Sequence, residues 1–265
     1  MTKIQYLRQD LAKKWQDQDV FTTVEQLQGE LFRHKEGRRT LRFKLDNKTF
    51  FLKWHQGVGW LEIIKNVLQL RAPVISAKNE WQAIRFLEQH QIDTLNIAAY
   101  GEQGWNPAKI QSFLITDDLV NTMSLEDIGE QWRQNHPTFS SKTILINKLA
   151  TIAKVMHENG MNHRDFYLCH FLLDDSFAET NMIETSTSLF LIDLHRAVLR
   201  NKTPERWLVK DLGGLFFSAF DVDLTQRDLF RFMMRYSGLS LRDVLNTQQQ
   251  FWLKVQQRAD KVRDN

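Results

Sequence analysis

The chain has 265 residues, 42% hydrophobic and 25% charged, with a net charge of +3. That excludes a disordered chain, allows one bilobal domain or two small ones, and is too little charge to imply nucleic acid. A single cysteine, Cys169, rules out an intramolecular disulfide and fits a reducing cytosol.

The opening "MTKIQYLRQDLAKKW" mixes charges into its apolar residues, so it does not read as a signal peptide. Residues 2–15 read instead as a short amphipathic helix. From about 27 to 55 the period falls to two: "TLRFKL" alternates, "DNK" turns, and "TFFLKWH" is an aromatic strand. Residues 60–70 read as a helix that Pro73 breaks, and Ser76 caps a second one, "AKNEWQAIRFLEQH". "NIAAYGE" and "SFLITDDL" are strands joined by the turn-rich "QGWNPAK". Residues 141–160 have apolar positions at helical spacing and end on Gly160, a C-terminal cap. "HFLLD" and "LFLIDL" are short strands separated by a polar loop, and 206–262 reads as helices. No apolar run is long enough to cross a bilayer.

A strand-rich half (1–118) thus precedes a helical half (119–265), with a hinge expected at "TDDLVN" and a ligand cleft between the halves. Four groups then fall in a telling order. Lys53 lies on the third strand of the first half and Glu80 on a following helix. His163-Arg164-Asp165 follows the long helix, and Asp193 ends an apolar strand 28 residues after Asp165. Singly these signals are weak: a lysine on a strand is usually just exposed, and an HRD triplet arises by chance. Their order is the part list of a phosphotransferase with an α+β, protein-kinase-like bilobal fold. Phosphoryl transfer needs phosphates held by a cation, a metal between their oxygens, and a carboxylate near the acceptor hydroxyl. Lys53 would hold phosphates and Glu80 would fix Lys53; Asp165 would take or orient the acceptor proton, and Asp193 would bind Mg²⁺.

Several positions depart from the protein-kinase pattern. No G-x-G-x-x-G joins the first strands, so Arg38 or Arg39 is expected to supply phosphate-binding charge. The metal-binding triplet reads Asp193-Leu194-His195, keeping only its aspartate. Glu80 is preferred to Glu62 because its helix directly precedes "NIAAYGE". Thr116, Asp117 and Asp118 fall where a hinge would offer backbone groups to adenine. Asp211 is read either as the buried aspartate that holds a catalytic loop or as a helix cap. Cys169 reads as a small buried hydrophobe rather than a nucleophile.

The motifs "RRTLRFKL", "FFLKWH", "NEWQAI", "NHRDFYLCHFLL", "IDLHRA" and "LTQRD" go further than fold. From about residue 25 to 245 the chain resembles the lipopolysaccharide core heptose(I) kinase family, the WaaP (RfaP) group. The resemblance implies transfer of the γ-phosphate of ATP, with Mg²⁺, to O4 of the first heptose. It makes His163 and Arg164 the lead-in to a catalytic loop and Asp165 its catalytic carboxylate. His170 stands where protein kinases carry a metal-binding asparagine. Either it binds metal, through water or with a softer ion, or it hydrogen-bonds Asp165 or the loop. The implied partners are the core glycolipid, the inner leaflet of the inner membrane, which a cytoplasmic protein would touch peripherally, and an acyl carrier protein. The basic residues Arg196, Arg200, Lys202, Arg206 and Lys210 would face anionic acceptor groups. The competing functions are a kinase for another acceptor, such as Kdo or a protein side chain, and a pseudokinase scaffold.

Overall fold

The computed structural model describes residues 2–35, 37–68, 75–175 and 182–264. They form two compact units, Met1–Arg85 with Leu95–Leu119, and Phe86–Thr94 with Val120–Asn265.

The first unit is built on a sheet of β1 (Thr2–Leu7), β2 (Glu30–Lys35), β3 (Arg38–Leu45), β4 (Lys48–His55), β5 (Ile97–Gln103) and β6 (Gln111–Asp117). Its strand order is β1-β5-β6-β4-β3-β2, every neighbour antiparallel. The helix expected over 2–15 is therefore wrong for its first half: only Gln9–Lys14 (α1) is helical. The cause is non-local. Within Thr2–Leu7, Lys-Ile-Gln-Tyr alternates polar and apolar, and β5 gives the segment backbone partners from Thr2 opposite Gln103 to Leu7 opposite Ala99.

Alternation sorts the sheet's faces. Leu41 and Phe43 of β3, and Phe50, Leu52 and Trp54 of β4, share one face. There α1 and α2 (Val20–Gln26) add Leu11, Trp15, Phe21 and Val24 to a buried core. Phe21 sets its ring edge-on to Trp54 and Phe113, with centroids 6.1 and 5.1 Å away. Lys53, between Leu52 and Trp54, must then point to the opposite face. After β4 come α3 (Gly59–Leu68) and α4 (Lys78–Gln89). The Ser76 hydroxyl accepts the Lys78 N–H at 3.2 Å where α4 begins; Pro73 lies outside the described residues.

In the second unit, β7 (Thr122–Ser124) and α5 (Leu125–Gln134) precede α6 (Phe139–Glu158). The Thr138 hydroxyl opens α6 by accepting the Ser141 N–H at 3.1 Å. Gly160 follows it with φ 85°, and a Cβ there would sit 1.7 Å from the Arg200 carbonyl oxygen, so only glycine fits. This close approach lets β8 (Met161–Asn162) pair with β11 (Val198–Leu199), the Arg200 N–H donating to the Gly160 carbonyl at 2.9 Å. A second small sheet pairs β7 and β10 (Leu189–Leu191) with β9 (Phe171–Asp174). The helical remainder is α7 (Glu205–Ser218), α8 (Gln226–Ser237), α9 (Leu241–Thr247) and α10 (Gln249–Arg263). Among the described residues no helix is long and apolar enough to cross a membrane.

Candidate active site

On the far face of the first unit's sheet, Lys53 Nζ lies 2.6 Å from Glu80 Oε1. Glu80 is only 2% exposed. It stands in the first turn of α4, where the helix dipole also favours a carboxylate. A buried carboxylate needs a cation, and the pair fixes an ammonium group on a rigid strand. The side chain of Glu62 lies outside the described residues.

The second unit holds the loop between β8 and β9. Its anchor is Asp211 on α7, which is fully buried and accepts the backbone N–H groups of His163 at 2.6 Å and Arg164 at 2.8 Å. Arg164 takes a left-handed backbone (φ 77°), a costly conformation for a branchless but bulky residue that these two bonds hold in place. His163 is buried, and burial pushes its imidazole below the ordinary value, so it is a neutral strut. Its Nε2–H donates to the Ile192 carbonyl at 2.9 Å.

Ile192 is tied twice, since its N–H donates to the His170 carbonyl at 3.0 Å. The expected strand "LFLIDL" stops at Leu191, and Asp193 sits just beyond in a left-handed turn (φ 58°). The two ties bring Asp193 beside the loop. Its Oδ1 accepts from His195 Nδ1 at 2.6 Å, and its Oδ2 is 3.4 Å from His170 Nε2. His170 Nδ1 donates to the Asp165 carbonyl at 2.7 Å, the loop-holding bond of the second of its two readings. Burial disfavours a charge on His170, but the adjacent Cys169 sulfur, the Asp165 carbonyl and the Asp193 carboxylate outweigh it, and the imidazole is pushed up to about 9.

Sequence reasoning placed Arg196 among basic residues facing the acceptor. The structure gives it a nearer partner: its Nη1 bonds both Asp165 carboxylate oxygens, at 2.8 and 3.1 Å. His195 was missed as the clasp of Asp193; its place two residues after that aspartate was the available signal. Arg39 is a correction. Its guanidinium donates to the carbonyls of Val24 and Glu25 at the end of α2, so it is not free to cover phosphates. Thr116 is buried in β6. The Asp117 and Asp118 N–H groups already donate to Asn96 and Thr49 carbonyls, at 2.9 and 3.0 Å. Their carboxylates pair with Arg8 and Arg42. An adenine contact at this segment would therefore use carbonyls rather than these amides. Cys169 is half-buried, with its sulfur against the His170 imidazole.

Comparison with known proteins gives concordant results. Residues 22–236 match the model of the lipopolysaccharide kinase (Kdo/WaaP) family. The chain is 45% identical to the lipopolysaccharide core heptose(I) kinase WaaP of Escherichia coli strain K12 over 258 residues, 97% of this chain and 96% of that protein. It is 41% identical to the Pseudomonas aeruginosa enzyme of the same name over 256 residues, 97% and 94% of the two chains. Among solved structures, WaaP in complex with acyl carrier protein superimposes with a TM-score of 0.83 at 36% identity, covering 98% of both chains.

Proposed function

The chain belongs to the lipopolysaccharide kinase (Kdo/WaaP) family, and on that premise we propose that it moves the γ-phosphoryl group of ATP to O4 of the first heptose of the lipopolysaccharide inner core. The observation that carries this reading is the loop anchored by Asp211, which presents Asp165 next to the turn that holds Asp193. In the proposed reaction the heptose hydroxyl donates to Asp165, which takes its proton as the new O–P bond forms. The bond from the γ-phosphorus to the β–γ bridging oxygen breaks, and ADP leaves. The transition state is loose, so most of the work is positioning and charge stabilisation. Lys53, fixed by Glu80, would hold nucleotide phosphates.

The donor chemistry at Asp193 suits Mg²⁺. One half-exposed carboxylate, aimed by His195, is too little for a dedicated cage. It fits a cation that arrives on nucleotide phosphates and keeps several waters. When bound there, Mg²⁺ would neutralise charge on the phosphate oxygens.

ATP turnover with dephosphorylated core glycolipid, followed by mapping of the new phosphate, tests the assignment. Phosphate on O4 of the first heptose is the expected product. Phosphate on Kdo or on protein would assign a different acceptor, and nucleotide binding without transfer to any acceptor would leave a scaffold.

A glycolipid acceptor places the reaction at the cytoplasmic face of the inner membrane. In support, α3 exposes Trp60, Leu61, Ile64 and Leu68, with Leu61 87% and Leu68 79% exposed. Such a face suits the boundary between headgroups and acyl chains. The solved relative in complex with acyl carrier protein supports a similar partner here.

A further inference from the structure

Four cations converge on one indole ring in the second unit. Around the Trp207 centroid lie Arg164 Cζ at 4.9 Å, Arg200 Cζ at 5.6 Å, Arg206 Cζ at 5.3 Å and Lys210 Nζ at 5.3 Å. An aromatic ring has two faces and attracts a cation only weakly. Four positive groups within about 11 Å of one another therefore repel more than the ring can offset. Among the described residues none of the four forms an ion pair with a carboxylate, whereas the neighbouring Arg196 has Asp165. Burial first, and then the charges of Arg196 and other cations, push Arg164 and Lys210 below their ordinary values. Arg164 Nε and Trp207 Nε1 are buried donors without a partner.

The backbone builds this arrangement deliberately. Arg164 is aimed by its left-handed conformation and by Asp211. Arg200 is brought in by the β8–β11 pairing that Gly160 permits. Its guanidinium also bonds the Asn162 side chain. Arg206, Trp207 and Lys210 fall on the first turns of α7, so the last is one turn from the first two. Pro204 gives that helix no side-chain cap, so its dipole adds to the same positive field. Lys202 is exposed and makes no contact with the ring, so the structure separates it from the group.

We propose that Arg164, Arg200, Arg206 and Lys210, gathered on Trp207, form a binding site for an anionic group, carboxylate or phosphate, of the acceptor glycolipid. The inference rests on the kinase reading above and assigns that reading its acceptor-recognition site. Arg164 precedes Asp165 in the chain, so an anion bound at Trp207 would sit next to the group that orients the acceptor hydroxyl. Guanidinium forks match carboxylate geometry. The chemistry of the site suits carboxylates of the core and phosphates of the lipid anchor alike, and the test separates the two.

Arg206→Gln/Lys210→Gln changes only exposed or half-buried positions, and thermal melting monitors its fold. The acceptors are the core glycolipid without phosphate on its heptose but with its lipid-anchor phosphates kept, the same glycolipid with its carboxylates converted to neutral methylamides, and the core oligosaccharide freed of its lipid phosphates. The variant should raise the KM for the first acceptor about tenfold, the loss expected when one or two charge-assisted hydrogen bonds go. The KM for ATP should stay within about twofold. Where the anion is a carboxylate, neutralising it should impose the same penalty on the unmodified protein and add little to the variant, and the penalty should persist on the oligosaccharide. An unchanged acceptor KM in the variant overturns the proposal. So does a variant that still loses about tenfold against the unmodified protein when both are given the neutralised acceptor, unless the penalty disappears with the lipid phosphates, which assigns the site to the anchor. If the unmodified protein phosphorylated no core acceptor, the kinase reading would fail. Equilibrium binding of the oligosaccharide to both proteins would then still decide the site, with weaker binding by the variant supporting it and equal binding overturning it.

Discussion

Arg196 Nη1 bonds both oxygens of the Asp165 carboxylate, at 2.8 and 3.1 Å. The cation comes from three residues after Asp193, so one short segment supplies both the carboxylate proposed to hold metal and the brace of the one proposed to face the acceptor. Removing the brace leaves Asp165 free to choose other rotamers. Arg196→Ala should lower kcat by about 10²-fold, the scale of a misplaced reacting group. Arg196→Lys should recover part of it, because a single nitrogen makes both contacts. Steady-state rates at saturating ATP and acceptor check this; Arg196→Ala at full kcat would make the ion pair incidental.

Lys53 and Glu80 combine a stability role with a functional one, and substitution can separate them. Lys53→Ala strands a buried carboxylate. Breaking a fully buried pair costs ~3–5 kcal/mol; the Lys53 side chain is 27% exposed, so the expected cost is about 2 kcal/mol. For a chain of this size that lowers Tm by about 4–8 °C. Lys53→Met/Glu80→Gln removes both charges and should regain most of that Tm. Nucleotide titration should nevertheless show weakened ATP binding in both variants. A double variant that binds ATP normally would remove Lys53 from phosphate binding.

What the sequence discloses depends on how far apart the interacting residues lie. Lys53 is legible as a strand residue because Leu52 and Trp54 flank it in a two-residue period. The order of Lys53, Glu80, the HRD triplet and Asp193 points to one chemistry because each sits on or just beyond a recognisable element. Thr2–Leu7 misled because its alternation is short and merges with the helix after it; β5, which makes it a strand, lies some ninety residues on. The grip of Arg196 on Asp165 is similarly invisible, since it depends on a left-handed turn at Asp193 that no propensity announces. At Trp207 half the cluster shows in helical spacing, but Arg164 and Arg200 arrive only through the folded loop and the β8–β11 ribbon.

Asp211 should behave as a structural anchor with a catalytic consequence. It satisfies two buried backbone donors and lies 3.5 Å from His157 Nε2. Asp211→Ala leaves those donors unpaired at ~1–3 kcal/mol each and should lower Tm by roughly 10 °C. At temperatures where the variant is still folded, kcat should fall more than the KM for ATP rises, because Asp165 moves with the loop. A variant with lowered Tm and unchanged kcat would show that the loop holds its geometry without this anchor.

The apolar face of α3 yields a prediction independent of catalysis. Trp60, Leu61, Ile64 and Leu68 are exposed on a helix that carries no part of the proposed chemistry. Inserting a leucine side chain into the acyl boundary gains up to ~1.5–3 kcal/mol when burial is full, and about half that when it is partial. Leu61→Ser/Leu68→Ser should therefore weaken co-sedimentation with anionic phospholipid vesicles by at least about tenfold. Turnover of a detergent-dispersed acceptor should be unaffected, since the helix would act only by placing the enzyme at the bilayer. Raising the salt concentration should leave this apolar contribution in place while screening the basic residues. Vesicle binding that survives both leucine substitutions, yet vanishes in high salt, would mean that charge alone holds the protein to the membrane.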